Sequence, residues 1–253
     1  MPWIKTEYHC GNCIIVTHHF STRYGSKGKI KYQTTDEKGK TTEAQMRYLE
    51  RRARLKADVI VNANFKKGDY FITFTFARGK LPDSKKKINR IWKNYSDKLR
   101  KTYRKHGFEC KYYGVLQDKG CRPHFHFVFN NVFNIAEFPE WKYGNPKIEI
   151  LDGRKHHNIG SYFLRGTTKE DKNGIKEHFR GQVYCSQNLF RPTPRVTKLK
   201  GSSWRDTPKN RKGYYVDKAT LENGYIINPY NNGTYRSQVY VLCKVNSKER
   251  LNI

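Results

Sequence analysis

No run of apolar residues in the 253-residue sequence approaches the ~20 needed to cross a bilayer, so no spanning helix is expected. The opening residues Met1–Lys5 carry no apolar signal-peptide core, and no lipidation signal or lipid-seeking amphipathic helix is evident. No membrane association is therefore expected, and the reading is a cytoplasmic protein. Cysteine is sparse, with six residues scattered along the chain, which excludes a disulfide framework and suits a reducing compartment. No G-x-x-x-x-G-K-[ST] loop occurs, so the chain is no NTP-driven helicase or ATPase. Internal repeats are absent. Acidic residues are few: 22 against 51 Lys and Arg, a formal charge of +29 spread over the whole chain. A basic surface of that extent predicts a polyanionic partner, most simply nucleic acid. Aromatic residues make up 14% of the chain and add surfaces on which single-stranded bases stack.

Cys10 and Cys13 form a Cys-x-x-Cys with His9, His18 and His19 nearby. A structural zinc site wants two well-spaced ligand pairs, and only one cysteine pair is present. The alternation from Cys13 to Phe20 instead reads as a turn leading into a strand. Residues 1–35 are expected as a strand pair, Asn12–His19 and Lys29–Thr34, followed by a turn over Asp36–Lys40. Thr41 is an N-cap candidate for a basic helix to about Val61, with Met46, Leu49, Ala53 and Ile60 on its apolar side. Its cations Arg47, Arg51, Arg52, Arg54 and Lys56 leave two readings open, a solvated face or phosphate contact.

Tyr70–Phe76 is a short, intensely apolar β run. From Ser84 to His106 the residues Ile88, Ile91, Trp92, Tyr95, Leu99 and Tyr103 recur at helical spacing and form a core stripe, with Gly107 ending the helix. Lys111–Gln117 is the next strand, and Asp118-Lys-Gly120 turns it into Gly120-Cys-Arg-Pro-His124-Phe-His126-Phe-Val-Phe129. In an extended strand His124 and His126 share one face, and Phe125, Phe127 and Phe129 the other. Two imidazoles backed by aromatic residues can hold a divalent cation at a sheet surface, although an isolated His-x-His is more often a pair of exposed strand histidines. A loop or short helix with Trp141, a strand over Pro146–Leu151 and a helix containing Ser161-Tyr162-Phe-Leu-Arg165, ended by Gly166, follow. The order strand, helix, strand, strand, strand, helix describes an antiparallel α+β sandwich. The remainder is β-rich, with strand-like runs at Tyr225–Ile227 and Gln238–Val245.

A Thr-containing apolar strand, a His-x-His strand and a Tyr on a following basic helix, in that order, resemble the HUH endonucleases, which nick single-stranded DNA through a tyrosine. Residues from Asn62 through Tyr184-Cys-Ser-Gln-Asn-Leu-Phe-Arg-Pro192 look like the rolling-circle replication initiators of Gram-positive bacterial plasmids, phages and integrative elements. The resemblance implies an α+β core with an antiparallel sheet and helices packed on one face, of the HUH or RRM-like kind. That core spans residues 62–192, between a strand pair and basic helix at 1–61 and a β-rich extension at 193–253.

It also implies residue roles. His124 and His126 would ligate Mg²⁺ or Mn²⁺, with imidazole favouring Mn²⁺. Gln117, seven residues before His124, is the candidate third ligand, and Asp118 the runner-up. Tyr162 would be the nucleophile, assisted by Arg165 one helical turn on. Lys169 matches a basic residue beyond the helix, and Arg122, Arg191 and Arg195 are candidates for DNA contact. A second catalytic tyrosine, four residues on in some relatives, is replaced here by Gly166. The implied partners are single-stranded DNA at a replication origin, of the hairpin kind, and a host helicase and DNA polymerase. A conjugative relaxase or single-tyrosine transposase of the same chemistry, and a non-catalytic basic nucleic-acid-binding module, are the alternatives.

Overall fold

The structure, a computed structural model, describes residues 2–22, 24, 43–117, 122–152, 159–164, 168–170, 176–178 and 183–245. In chain order the elements are β1 (Trp3–His9), β2 (Cys13–Phe20), α1 (Glu43–Asn64), β3 (Tyr70–Thr75), α2 (Lys85–Lys105), β4 (Tyr112–Gln117), β5 (His124–Phe129), β6 (Lys147–Ile150), α3 (Ile159–Phe163), β7 (Thr168–Glu170), β8 (Lys176–His178), β9 (Val183–Cys185), β10 (Arg195–Leu199), β11 (Tyr214–Ile227) and β12 (Thr234–Lys244). Single 3-10 turns lie at Arg78–Lys80 and Ile135–Glu137. The class is α+β, with two five-stranded antiparallel sheets and a two-stranded β7–β8 ribbon. No helix among the described residues is long and apolar enough to cross a membrane.

Two units share the chain. Asn64–Phe190 forms one, and Met1–Ala63 with Arg191–Ile253 the other. The segments read from sequence as separate N- and C-terminal extensions thus contribute strands to a single sheet. The inserted unit is clipped at its ends: Asn64 Nδ2 donates to the Phe190 carbonyl (2.8 Å), and the Phe190 amide donates to Asn64 Oδ1 (2.7 Å).

In the inserted unit the strand order is β6-β3-β5-β4-β9, so the histidine strand β5 is central. Alternation assigns Tyr70, Ile72 and Phe74 of β3, Phe125, Phe127 and Phe129 of β5, and Tyr112 and Leu116 of β4 to one buried face. Helix α2 covers that face with Ile88, Ile91, Trp92, Tyr95, Leu99 and Tyr103, all buried, and the Trp92 ring stacks on Phe127 at 3.8 Å. Ser84 caps α2 by accepting from the Lys87 amide, and Gly107, at φ +78°, ends it in a conformation that an L side chain resists. Gly114 permits close approach of β4 to β5, since a Cβ there would lie 2.2 Å from the His126 carbonyl oxygen. The resemblance implied helices on one face; α2 takes that face, whereas α3 lies on the other, its Phe163 ring 5.9 Å from Phe71 and 6.0 Å from Tyr113.

The second unit has the order β10-β1-β2-β12-β11. Here the sequence reading is corrected in two places. β2 pairs on one side with β1, a strand not anticipated, and on the other with β12; the expected Lys29–Thr34 strand and the Thr41 cap lie outside the described residues. Cys10 and Cys13 bracket the β1–β2 turn, with the Cys10 amide donating to the Cys13 carbonyl (2.9 Å) and Gly11 at φ +72°. Helix α1 buries Val59, with Leu55 and Ala63, against Cys10, Cys13, Ile15, Val241 and Cys243. Of the apolar side expected for α1 only Ile60 is buried; Leu49 and Ala53 are exposed, because the helix packs most closely through its C-terminal half.

Candidate active site

The face of the inserted sheet opposite α2 is built by the same alternation. Residues paired across antiparallel strands share a face, so His126 lies beside Thr73 and Val115, and His124 beside Thr75 and Gln117. Phe71 belongs to this face and pairs with Glu149 of β6. The sheet thereby gathers Phe71, Thr73, Thr75, Gln117, His124, His126 and Glu149 on one side.

The two imidazoles approach with Nε2 atoms 3.1 Å apart and rings nearly perpendicular, at 89°. His124 Nδ1 donates to the Arg122 carbonyl (2.8 Å), which fixes the proton of the neutral ring there and leaves Nε2 as a lone pair. His126 Nδ1 lies 2.9 Å from Thr73 Oγ1. Burial, and then the neighbouring His124, hold the His126 pKa down to about 4, with the Glu149 carboxylate acting in the opposite direction. His126 is therefore neutral at physiological pH.

This donor set fits a divalent cation. Two ligand atoms about 2.1 Å from one ion and at right angles to each other are about 3.0 Å apart, close to the observed nitrogen separation. Each ring also has an outer partner on its other nitrogen, as metal-bound imidazoles usually do. Gln117 Nε2 donates to the Phe163 carbonyl at 3.4 Å, which leaves its amide oxygen as acceptor. Among the described residues no set of three or more His, Cys, Asp or Glu side chains is gathered for a metal.

Tyr162 of α3 comes to the same face. Its ring is 5.8 Å from His126 and 6.1 Å from Phe71, and at 45% exposure it is open to a substrate. Its neighbour Phe163 is fully buried and stacks on Phe71, which in turn stacks on His126 at 5.7 Å. That aromatic pile anchors a helix of only five residues and sets where the phenol sits.

Of the remaining candidates, Arg122 is exposed beside the site and accepts the His124 bond through its backbone. Lys169 lies on β7, paired with Glu177. Arg165, Asp118 and Gly166 lie outside the described residues. Arg191 and Arg195 belong to the other unit, Arg195 pairing with Glu7 in the β1–β10 register. Sequence reasoning missed Thr73, Phe71 and Glu149. The alternation of β3 could have put Phe71 and Thr73 on the histidine side, but nothing in the sequence announces that β6 pairs with β3.

Residues 69–174 match the family described as replication-associated protein ORF2/G2P. That span contains β3 through α3 and every side chain of the site. Neither the curated proteins nor the solved structures contain a match to this chain.

Proposed function

We propose that this chain is a sequence-specific, metal-dependent single-stranded DNA endonuclease and strand transferase of the HUH type, which initiates rolling-circle replication through a 5′-phosphotyrosine at Tyr162. The observation that carries the reading is the exposed phenol beside a pair of imidazoles on one sheet face. The replication-associated family match favours replication over the relaxase and transposase alternatives.

Bound Mg²⁺ or Mn²⁺ would supply Lewis-acid polarisation of the scissile phosphate and charge neutralisation. His124, His126 and the Gln117 amide would hold it. Thr73 and the Arg122 carbonyl orient the two rings, and Phe71 and Phe163 position α3. Tyr162 Oη attacks phosphorus in line with the 3′ oxygen. The phenol loses its proton, the P–O3′ bond breaks, and the 3′ oxygen leaves as a hydroxyl that a host polymerase extends. The 5′ phosphate stays on the tyrosine. Arg165, Lys169 and Arg122 contact phosphates near the site, and Arg191 and Arg195 contact DNA from the second unit. With glycine at position 166, closing a replication round requires a second subunit or another nucleophile. A host helicase opens the origin hairpin region, since the chain carries no nucleotide-binding loop.

Incubation with Mn²⁺ and single-stranded DNA bearing the cognate origin tests the reading on a denaturing gel. The wild type forms a protein–DNA adduct, and His124→Ala and His126→Ala abolish it together with metal dependence. A protein that binds the strand tightly and never cleaves it is the non-catalytic module instead.

A further inference from the structure

Helix α2 has a second face that the site does not use. Eleven of its residues are exposed; ten are Lys or Arg, and the exception is Asn94. Asp97 is the single acidic residue of the helix, paired with Arg100, and Lys87 pairs with Asp83 ahead of the helix. A face that serves only solubility mixes both signs and gains from i,i+4 pairs. This one forgoes that gain. Lys86 and Arg90, Lys101 and Lys105, and Arg100 and Arg104 are like charges four apart, which destabilise a helix. Lys85, Lys86 and Lys87 fill the first turn, where the helix dipole disfavours cations, and that turn contains no acidic residue. The helix is held by packing of its apolar stripe despite its charges, and a polyanion laid along it removes the repulsion.

We infer that the outer face of α2 is a sequence-independent binding surface for duplex DNA, separate from the nicking site. Three features select a duplex. Every aromatic residue of α2 is buried against the sheet, so the face offers no stacking platform for unpaired bases. The helix is 21 residues long, about 30 Å, close to the ~34 Å of one duplex turn. And the surface lies on the side of the sheet away from the histidines: Trp92 packs on Phe127, whereas His126 projects from the opposite face of β5. One sheet-to-helix layer plus half a helix separates the two, about 15 Å. A duplex is too stiff to bend around that layer within a few base pairs. A duplex on α2 and a single strand on the histidine face therefore occupy the protein together, and the first raises the local concentration of the second.

The inference shares with the proposed function only the premise that the chain works on DNA, and its test is read without cleavage. Full-length wild type and the variant Lys86→Gln/Arg90→Gln/Lys93→Gln/Lys101→Gln are titrated by fluorescence anisotropy with a 30-base-pair duplex of arbitrary sequence, and with one of its strands alone, over a NaCl series. Removing four phosphate contacts is expected to make the log–log salt slope for duplex shallower by about 3–4, on the order of a 100-fold smaller loss of affinity between 50 and 200 mM salt. Single-strand affinity falls less, and the thermal midpoint stays equal or rises as repulsion is relieved. The charge-preserving variant Lys86→Arg/Lys93→Arg/Lys101→Arg retains duplex binding. An unchanged duplex slope overturns the inference, and so does a loss for the single strand as large as for the duplex. Adduct formation on a short single-stranded origin is measured alongside. If neither protein forms it, the cleavage reading fails while the duplex titration still decides this one.

Discussion

Thr73→Val separates a positioning role from a merely structural one. The hydroxyl of Thr73 is 2.9 Å from Nδ1 of His126, a buried residue. With Nε2 given to a cation, Nδ1 must carry the proton and donate to Thr73 Oγ1. Valine keeps the branched shape but leaves that N–H without an acceptor. Loss of such an outer partner typically lowers metal affinity by 10–100-fold, about 1.4–2.7 kcal/mol. Stability falls by about 1–3 kcal/mol, because a buried polar atom is orphaned. The matched control is Thr75→Val. Thr75 pairs with His124 in register, yet its hydroxyl donates to the Asn145 carbonyl (2.8 Å) and reaches neither imidazole. Its replacement costs about 1 kcal/mol of stability at most and leaves Mn²⁺ binding unchanged. Mn²⁺ titration followed by electron paramagnetic resonance, with thermal melts in parallel, reads both. Wild-type Mn²⁺ affinity in Thr73→Val, or an equal loss in Thr75→Val, refutes the reasoning.

Gly114→Ala forces a Cβ to 2.2 Å from the His126 carbonyl oxygen and 2.3 Å from the Phe127 ring, so β4 and β5 cannot keep their spacing. Urea denaturation is expected to show about 3 kcal/mol or more of destabilisation, and a wild-type midpoint contradicts the packing described. Burial depresses His18, His19 and His126 each to about 4. The folded pKa lies below the unfolded value near 6.5, so the unfolded chain binds more protons in that window, and stability falls as pH drops from about 6.5 toward 4. By pH 5 each contributes up to about 2 kcal/mol of loss; urea midpoints that match at pH 7 and pH 5 contradict this. Tyr162→Phe, which removes one exposed hydroxyl, is expected to leave single-strand affinity within about twofold in anisotropy and to eliminate the adduct. An adduct that persists moves the nucleophile elsewhere.

Much of the inserted unit could be read from the chain because each of its elements has one strong period. The stripe Ile88, Ile91, Trp92, Tyr95, Leu99 and Tyr103 is buried throughout, and the alternation of His124–Phe129 places imidazoles and phenyl rings on opposite faces as expected. What could not be read was pairing. The β1–β2–β12 sheet joins residues more than 200 positions apart, and no local pattern states that Cys13 faces Cys243. Helix α1 misled because its scattered apolar residues suggested a stripe through Met46, Leu49 and Ala53, whereas its fully buried residues all lie in its C-terminal half. Within the site, the types and spacing of His124, His126 and Tyr162 were legible. The support from Thr73, the Phe71–Phe163 stack and the nearby Glu149 depended on the register of β3 with β5 and β6, which the sequence does not encode locally.

The most direct measurement is peptide mapping of the protein–DNA adduct by mass spectrometry after nuclease and protease digestion. The account predicts a nucleotide 5′-phosphate esterified to Tyr162 and to no other residue, formed with Mn²⁺ and absent with a chelator. A nucleotide on any other side chain, or cleavage of the origin strand with no covalent adduct at all, would contradict it.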